Sequence, residues 1–182
     1  MKKTIMILSL LSVVTFTMAQ KKKVTTSANV SFDASTPKDA LPKAENKTVV
    51  ASMDTKTGAI AFEALVKNFT FSNPTMQDHF NGSQWMDSEK NPKASFKGKI
   101  INMASINLKK DGTYNVDVSG DLTLHGVTKA VSSSATIVVK GKVVSSTSNF
   151  SVKLADYGVN GPAIAAGKVA EEAKIVVAAS FK

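Results

Sequence analysis

The chain has no cysteine and only two histidines among its 182 residues. Without cysteine, disulfides and thiolate chemistry are excluded, and so is the acylation that anchors bacterial lipoproteins. A zinc site of the usual nitrogen and sulfur ligands would need both His79 and His125, with carboxylates from distant elements. Their spacing indicates nothing of the kind, so we expect no metal and no cofactor.

The motifs of common catalytic sites are also missing. The sequence contains no GxSxG elbow, no glycine-rich phosphate loop and no HExxH. Asp87 and Glu89 fall in a polar turn region, and nothing places a second carboxylate opposite them for acid–base work. We interpret His79 as a helix-surface residue and His125 as a polar turn residue. The sequence therefore predicts a protein that is not an enzyme and has no catalytic residue.

The first nineteen residues have the pattern of an export signal. Lys2 and Lys3 precede an apolar run from Ile5 to Phe16, and a small residue ends the segment, as a signal peptidase requires. The run is shorter than the roughly 20 apolar residues of a membrane span. We expect a signal peptide at 1–19, one domain at 20–182, and a periplasmic or secreted location.

Basic residues outnumber acidic ones. Removing Lys2 and Lys3 from the 23 basic residues leaves 21 against 14 acidic residues, a formal charge of +7. Such a surplus favours anionic membrane surfaces, but the lysines are spread singly along the sequence, as on an ordinary solvated face. We expect at most transient contact with a membrane surface, and no binding to nucleic acid, since an aromatic-basic patch is missing.

From Ala28 onward, short alternating segments separated by turn residues predict an all-β domain. Closing eight antiparallel strands into a barrel removes exposed edges, and long strands favour a barrel over two stacked sheets. Two long surface loops are predicted at Ala34–Asn46 and Tyr157–Lys168. The eight predicted strands are Ala28–Asp33, Lys47–Asp54, Ala59–Phe71, Ala94–Lys109, Thr113–Leu124, Lys129–Lys140, Val143–Leu154 and Ala170–Phe181.

Turn residues predict how these strands are connected. Asp111-Gly112 is a strong signal for a two-residue hairpin, because both residues tolerate positive φ. Gly58 and Gly141 suit left-handed positions in reversals between strands. The apolar alternation changes phase at Asn68, which a β-bulge would explain.

One short helix is predicted between Asn73 and Gly82. Asn73 can cap it, Pro74 fits the first helical position, and Gly82 can end it. Met76 and Phe80 lie four residues apart and therefore share one face. We expect this helix to plug one end of the barrel or to cover its seam.

The inward faces of the strands should form an apolar lumen. Small residues on these faces, such as Ala64 and Gly98, should leave volume unfilled. Methionines and a tryptophan on and after the helix suit an adaptable pocket mouth, although they equally suit a plain plug of the barrel end. The candidate residues for holding an apolar ligand are Phe62, Val66, Phe69, Phe71, Met76, Phe80, Trp85, Met86, Phe96, Leu122, Leu124 and Phe150.

Three stretches in the same order resemble the YceI-like family. They are MQDHFNGSQWMDSEKNPKASFKGKI from Met76 to Ile100, GDLTLHGVTK from Gly120 to Lys129, and LADYGVNGP from Leu154 to Pro162. The resemblance implies a lipocalin-like, eight-stranded antiparallel barrel with one short helix. It also implies a polyisoprenoid or a similar long-chain lipid as the ligand.

Two functions follow from these observations. The first is an exported, non-catalytic binding protein that holds a polyisoprenoid or similar lipid in the barrel as a carrier or reservoir. The second is a solidly packed β-barrel interaction module that acts through its surface loops and has no small-molecule ligand. The sequence does not fix the oligomeric state, and a dimer is one option.

Overall fold

The computed structural model describes residues 22–182, so the predicted signal peptide at 1–19 lies outside the described residues. Short 3-10 turns occupy Val66–Asn68, Met103–Ser105 and Leu154–Tyr157. The strands are β1 (Lys22–Asp33), β2 (Lys43–Asp54), β3 (Ala59–Leu65), β4 (Thr70–Phe71), β5 (Lys93–Ile100), β6 (Gly112–Leu124), β7 (Val127–Lys140), β8 (Val143–Lys153) and β9 (Glu172–Phe181), and the helices are α1 (Pro74–Asn81) and α2 (Pro162–Ala165). None of the helices in this part of the chain is both long and apolar enough to cross a bilayer.

Eight long strands form one closed antiparallel barrel. Their order is β1-β9-β8-β7-β6-β5-β3-β2, and β2 pairs back with β1 to close the ring. The two-residue strand β4 adds to the beginning of β2 through the pairs Ala44–Phe71 and Glu45–Thr70. The predicted fold class is therefore confirmed.

The two ends of the barrel differ. At one end, which we call the closed end, the core is packed tight by Met53, Val139, Val144 and Phe181, all almost completely buried. The connections β2–β3, β5–β6 and β7–β8 lie at this end. The opposite end, which we call the mouth, carries the connections that contain α1 and α2.

The predicted strand Ala59–Phe71 is wrong, because the chain breaks it with the 3-10 turn Val66–Asn68. The N–H of Val66 donates to the carbonyl of Pro92, and the amide of Asn68 donates to the hydroxyl of Thr48. The turn changes which residues face the core, so the change of alternation at Asn68 is explained without a β-bulge. Phe69 and Phe71 are both buried as a result.

The predicted strand Ala94–Lys109 and the Asp111-Gly112 hairpin are also wrong. Strand β5 ends at Ile100, and an eleven-residue connection, 101–111, leads to β6. Met103 and Leu108 of this connection pack against the core. The segment therefore covers the closed end instead of extending the sheet.

The remaining boundaries need smaller corrections. Strand β1 begins at Lys22 and not at Ala28, and β2 begins at Lys43. The predicted surface loop Tyr157–Lys168 contains α2, and its residues Tyr157 and Val159 are each only 3% exposed. Their apolar side chains fold back onto the barrel.

The predictions for the other turns and for the helix hold. Gly58 and Gly141 have φ angles of 74° and 60°, and the β6–β7 turn has positive φ at both His125 and Gly126, as a tight type I′ hairpin requires. In α1, the side chain of Asn73 accepts a hydrogen bond from the Thr75 N–H at 2.9 Å. The helix ends against Gly82 as expected.

Gly98 does not leave empty space in the lumen, contrary to the sequence-based expectation. Gly98 on β5 is paired directly with Gly120 on β6. A β-carbon added to Gly98 would lie 2.6 Å from Cζ of Phe96, and one added to Gly120 would lie 2.8 Å from the same atom. The Phe96 ring therefore covers both glycines and fills the space that they leave.

We expect Gly98→Ala to destabilise the protein by about 2 kcal/mol, because the added methyl group overpacks the wall against Phe96 and the facing strand. Urea unfolding followed by circular dichroism measures the change. The control Lys99→Ala changes an exposed side chain of the same strand and should change stability by less than about 0.5 kcal/mol. An unchanged unfolding midpoint for Gly98→Ala would contradict this packing.

Candidate functional site

The barrel encloses a cavity of about 500 Å³. Binding sites for small molecules in proteins measure about 300–1,000 Å³, so the cavity is large enough for a ligand. It extends from Met53 and Ile137, just inside the closed end, to the exposed residues His79 and Lys168. The cavity therefore reaches solvent at the mouth.

All twelve candidate residues predicted from the sequence line this cavity. They are Phe62, Val66, Phe69, Phe71, Met76, Phe80, Trp85, Met86, Phe96, Leu122, Leu124 and Phe150. The structure brings them together from four strands of the wall, the 3-10 turn, β4, α1 and the segment after α1. Their role in binding a lipid stays a prediction.

The sequence-based set omitted part of the lining. Val30 and Phe32 of β1, and Ile137 of β7, also face the cavity. The period-2 alternation of both strands could have identified them. Val159 lines the cavity from the connection after β8, and no local pattern marks it, because a long-range contact buries it.

Four phenylalanines form a cluster beneath α1. The ring of Phe32 stacks on that of Phe80, with centroids 5.4 Å apart. Phe69 and Phe71 contact both rings at centroid distances between 5.0 and 5.9 Å. Aromatic pairs at such distances add attraction beyond the area that they bury. The cluster joins β1, β4 and α1 into the floor of the mouth.

The segment after α1 folds down onto the wall. The N–H of Met86 donates to the carbonyl of Phe80 at 3.1 Å, and Met86 is buried with Val66 and Val159. The Trp85 indole lies against Gly161, where an added β-carbon would be 3.4 Å from Cζ2. The mouth is thus bordered by α1, Trp85, Met86 and the connection that follows β8.

Three of the polar residues that line the cavity are serines of β7 and β8. Ser133 and Ser148 lie 2.8 Å apart through their Oγ atoms, and the Ser148 hydroxyl donates to the carbonyl of Ser134. Ser146 also lines the cavity. Its hydroxyl has no hydrogen-bond partner within residues 22–182.

These serines stand where two strands diverge. The pairing of β7 with β8 runs only from Ala135–Ser148 to Lys140–Val143. Towards the mouth, residues 127–134 pair with β6 and residues 149–153 pair with β9. The wall therefore opens as a fork between β7 and β8, and Val131 and Phe150 line the cavity there.

Two ionisable groups near the mouth have shifted pKa values. Burial alone would raise the pKa of Asp33, but hydrogen bonds from Ser35 and Lys43 outweigh it and lower the pKa. Burial, followed by the nearby charge of Asp156, raises the pKa of Tyr157. Both shifts follow from structural contacts, and neither group is among the residues that line the cavity.

The histidines are on separate elements. His79 lies on the exposed side of the mouth, whereas Nδ1 of His125 is 3.0 Å from the carbonyl oxygen of Tyr157. Within residues 22–182, no three His, Cys, Asp or Glu side chains are grouped so that they could hold a metal ion. The arrangement can enclose an apolar molecule.

Comparison with protein families identifies this architecture. A family model described as YceI-like domain matches residues 11–181. The chain belongs to the YceI-like family. The resemblance of its three sequence stretches to that family is therefore confirmed.

Relatives in sequence and structure agree with the family. A UPF0312 protein of Pseudomonas putida W619 is 32% identical over 118 residues, which are 61% of this chain and 53% of that protein. One of Pseudomonas fluorescens Pf-5 is 34% identical over 113 residues, 62% of this chain and 46% of that protein. The chain thus spans about half the length of the curated relatives that it matches.

Two solved structures share the fold of this YceI-like barrel. One is a polyisoprenoid binding domain from Saccharophagus degradans implicated in plant cell wall breakdown, with a TM-score of 0.75, 12% identity, and coverage of 90% of this chain and 98% of that one. The other is BcnA of Burkholderia cenocepacia, with a TM-score of 0.71, 20% identity, and coverage of 85% and 96%. At these identities the likeness establishes the fold alone.

We expect Phe80→Ala to lower the free energy of unfolding by about 3 kcal/mol, because it removes the ring that joins α1 to the aromatic cluster. No residue of α1 is fully buried, so the helix depends on Phe80 and Met76 for its attachment. The control Asp78→Ala changes an exposed residue of the same helix and should leave stability within about 0.5 kcal/mol. Equal effects of the two substitutions in urea unfolding would contradict the anchoring role of Phe80.

Proposed function

We propose that this protein is an exported, non-catalytic carrier or reservoir that holds a polyisoprenoid or a similar long apolar lipid inside its barrel. The observation that supports this proposal most strongly is the cavity of about 500 Å³, which is lined by the inward faces of the strands and open at the mouth. The barrel shares its fold with a polyisoprenoid binding domain. This likeness supports a ligand of the same class for the present protein. The export pattern at 1–19 supports a periplasmic or secreted location.

The lining suits a ligand that binds through hydrocarbon contacts. Each methylene-sized group removed from water contributes about 0.8 kcal/mol, so burying ten such groups contributes roughly 8 kcal/mol before the entropy of association is subtracted. Polar contacts are not needed for that affinity. The hydroxyls of Ser133, Ser146 and Ser148 are among the groups of the wall that can accept or donate a hydrogen bond to a ligand oxygen.

The mouth suits a flexible chain. Met76 and Met86 are unbranched and polarisable, so they adapt to irregular shapes at small energetic cost. Trp85 lies next to them and lines the cavity, so its fluorescence should report a ligand that enters the mouth. The same residues pack around this end of the barrel, so the plug and mouth interpretations are compatible.

The second function predicted from the sequence required a solidly packed interior. A cavity of about 500 Å³ is inconsistent with that packing. We therefore do not propose a surface interaction module in its place.

Native mass spectrometry of the protein purified from its natural host tests the proposal directly. We expect a species heavier than the apo mass by a lipid, and a change of Trp85 fluorescence when a prenyl alcohol is added to delipidated protein. Only the apo mass, together with unchanged fluorescence, would contradict a lipid-holding role.

A substitution that fills the cavity should abolish binding without unfolding the barrel. Ala135 on β7 faces the lumen and lines the cavity, so Ala135→Phe should lower prenyl alcohol affinity at least tenfold, the effect of about 1.4 kcal/mol. Val138→Phe places the same ring on the outer face of the same strand, where Val138 is exposed, and should bind normally. If both variants bind as the unchanged protein does in fluorescence titrations, the lumen is not the binding site.

The fork gives the wall a local weakness that hydrogen exchange can detect. Amides that lack a ladder partner exchange faster than amides paired on both sides of a strand. We expect peptides covering residues 128–134 and 149–153 to exchange early, and to become protected when a prenyl alcohol binds. Strand β5, which pairs with both β3 and β6, is the internal control and should change little; equal protection everywhere would contradict a local role of the fork.

A further inference from the structure

The charged side chains are arranged differently at the two ends of the barrel. Six ion pairs are formed within residues 22–182, and all of them lie in the mouth half. They are Lys43–Asp33, Lys47–Glu45, Lys67–Glu89, Lys90–Asp87, Lys93–Glu63 and Lys153–Glu172. The net charge read from the sequence does not reveal this division.

Lysines surround the closed end without such partners. We call this set the basic end, and its members are Lys22, Lys23, Lys56, Lys109, Lys110, Lys140 and Lys142. None of them forms an ion pair with a carboxylate in the described part of the chain. The acidic side chains in the neighbouring turns are Asp54 and Asp111, so lysines clearly outnumber carboxylates there.

The two aspartates are engaged by the turns. Asp54 accepts hydrogen bonds from the N–H groups of Lys56 and Thr57, and the charge of Lys56 also acts on it. Asp111 accepts a hydrogen bond from the N–H of Gly141 at 2.8 Å. Both carboxylates keep their negative charge while they stabilise turns, and the seven lysines of the basic end still outnumber them.

The basic end is one continuous surface. Lys23 donates through Nζ to the carbonyl of Lys142 at 3.0 Å, which joins β1 to the β7–β8 turn. The hydrogen bond between Asp111 and Gly141 joins that turn to the connection 101–111. The surface therefore spans at least three of the chain segments that meet at the closed end.

Aliphatic side chains are exposed around the same end. Val24 is 56% exposed, Ile101 is 55% exposed and Val138 is 42% exposed. Lysine side chains can lay their methylene stems along apolar material while the ammonium groups reach phosphates. An anionic bilayer offers phosphates to the unpaired lysines and an apolar layer beneath the headgroups to the aliphatic side chains between them.

We propose that the basic end docks on an anionic phospholipid surface, with the mouth pointing away from the bilayer. This orientation is independent of what the cavity holds. Nucleic acid fits less well, because the chain contains no arginine and the aromatic residue near this end, Tyr114, bonds its hydroxyl to the carbonyls of Asn107 and Lys110. Binding to single strands relies on aromatic side chains that are free to stack on bases.

Vesicle co-sedimentation with two charge-matched variants tests the docking. The first variant carries Lys109→Gln, Lys110→Gln and Lys142→Gln at the basic end. The second carries Lys38→Gln, Lys129→Gln and Lys174→Gln, which are exposed lysines of the mouth half outside the six ion pairs. Both lose the same charge, so they differ only in its position.

We expect the unchanged protein to bind phosphatidylcholine vesicles that contain phosphatidylglycerol, and to be released as salt rises. The basic-end variant should bind on the order of 100-fold more weakly, since each lysine near an anionic surface is worth about fivefold. The mouth variant should retain most of the binding. Circular dichroism of both variants checks that the barrel is folded.

Three results would overturn the proposal. Equal weakening of the two variants would mean that net charge alone governs binding. Equal binding to vesicles of phosphatidylcholine alone would exclude recognition of the anionic headgroup. Tighter binding to a single-stranded oligonucleotide than to the anionic vesicles would assign the basic end to a nucleic acid partner.

Discussion

The structure depends on the closure of the strand ring, and β1 provides that closure. Strand β1 pairs with β2 along one edge and with β9 along the other, which closes the ring. Unpaired strand edges remain at the fork between β7 and β8. Closure also places the apolar face of every strand inside. The interior is then filled from its two ends, by Phe181 and its neighbours at the closed end and by the aromatic cluster at the mouth. The volume between them is the cavity.

The alternation of apolar and polar residues predicts much of this arrangement, because a side chain on a strand can only face inward or outward. The candidate residues on β3, β5, β6 and β8 line the cavity for that reason, whereas those of α1 and its flanking turns reach it through the connection between β3 and β5. The sequence-based predictions are wrong where a contact between residues far apart in the sequence determines the local structure. The Pro92 carbonyl holds the turn at Val66, the core draws in Met103, and the Phe96 ring fills the space above Gly98. None of these contacts is visible in a local pattern.

The two ends of the barrel have separate roles in this account. The mouth carries the ion pairs, the adaptable methionines and the fork between β7 and β8, where the wall has fewer hydrogen bonds and can widen. The closed end carries unpaired lysines and a packed core. A ligand could thus move through the mouth while the opposite end rests on a membrane, so loading and docking would not compete for one surface.

The most direct measurement is a crystal structure of the protein purified from its own host, without delipidation. We expect continuous, elongated electron density for a bound lipid that begins beside Ile137 and Phe96 and runs past Phe150 to Trp85 at the mouth. Ordered waters in that volume, or side chains collapsed to fill it, would contradict the central claim that the barrel keeps its interior free for an apolar chain.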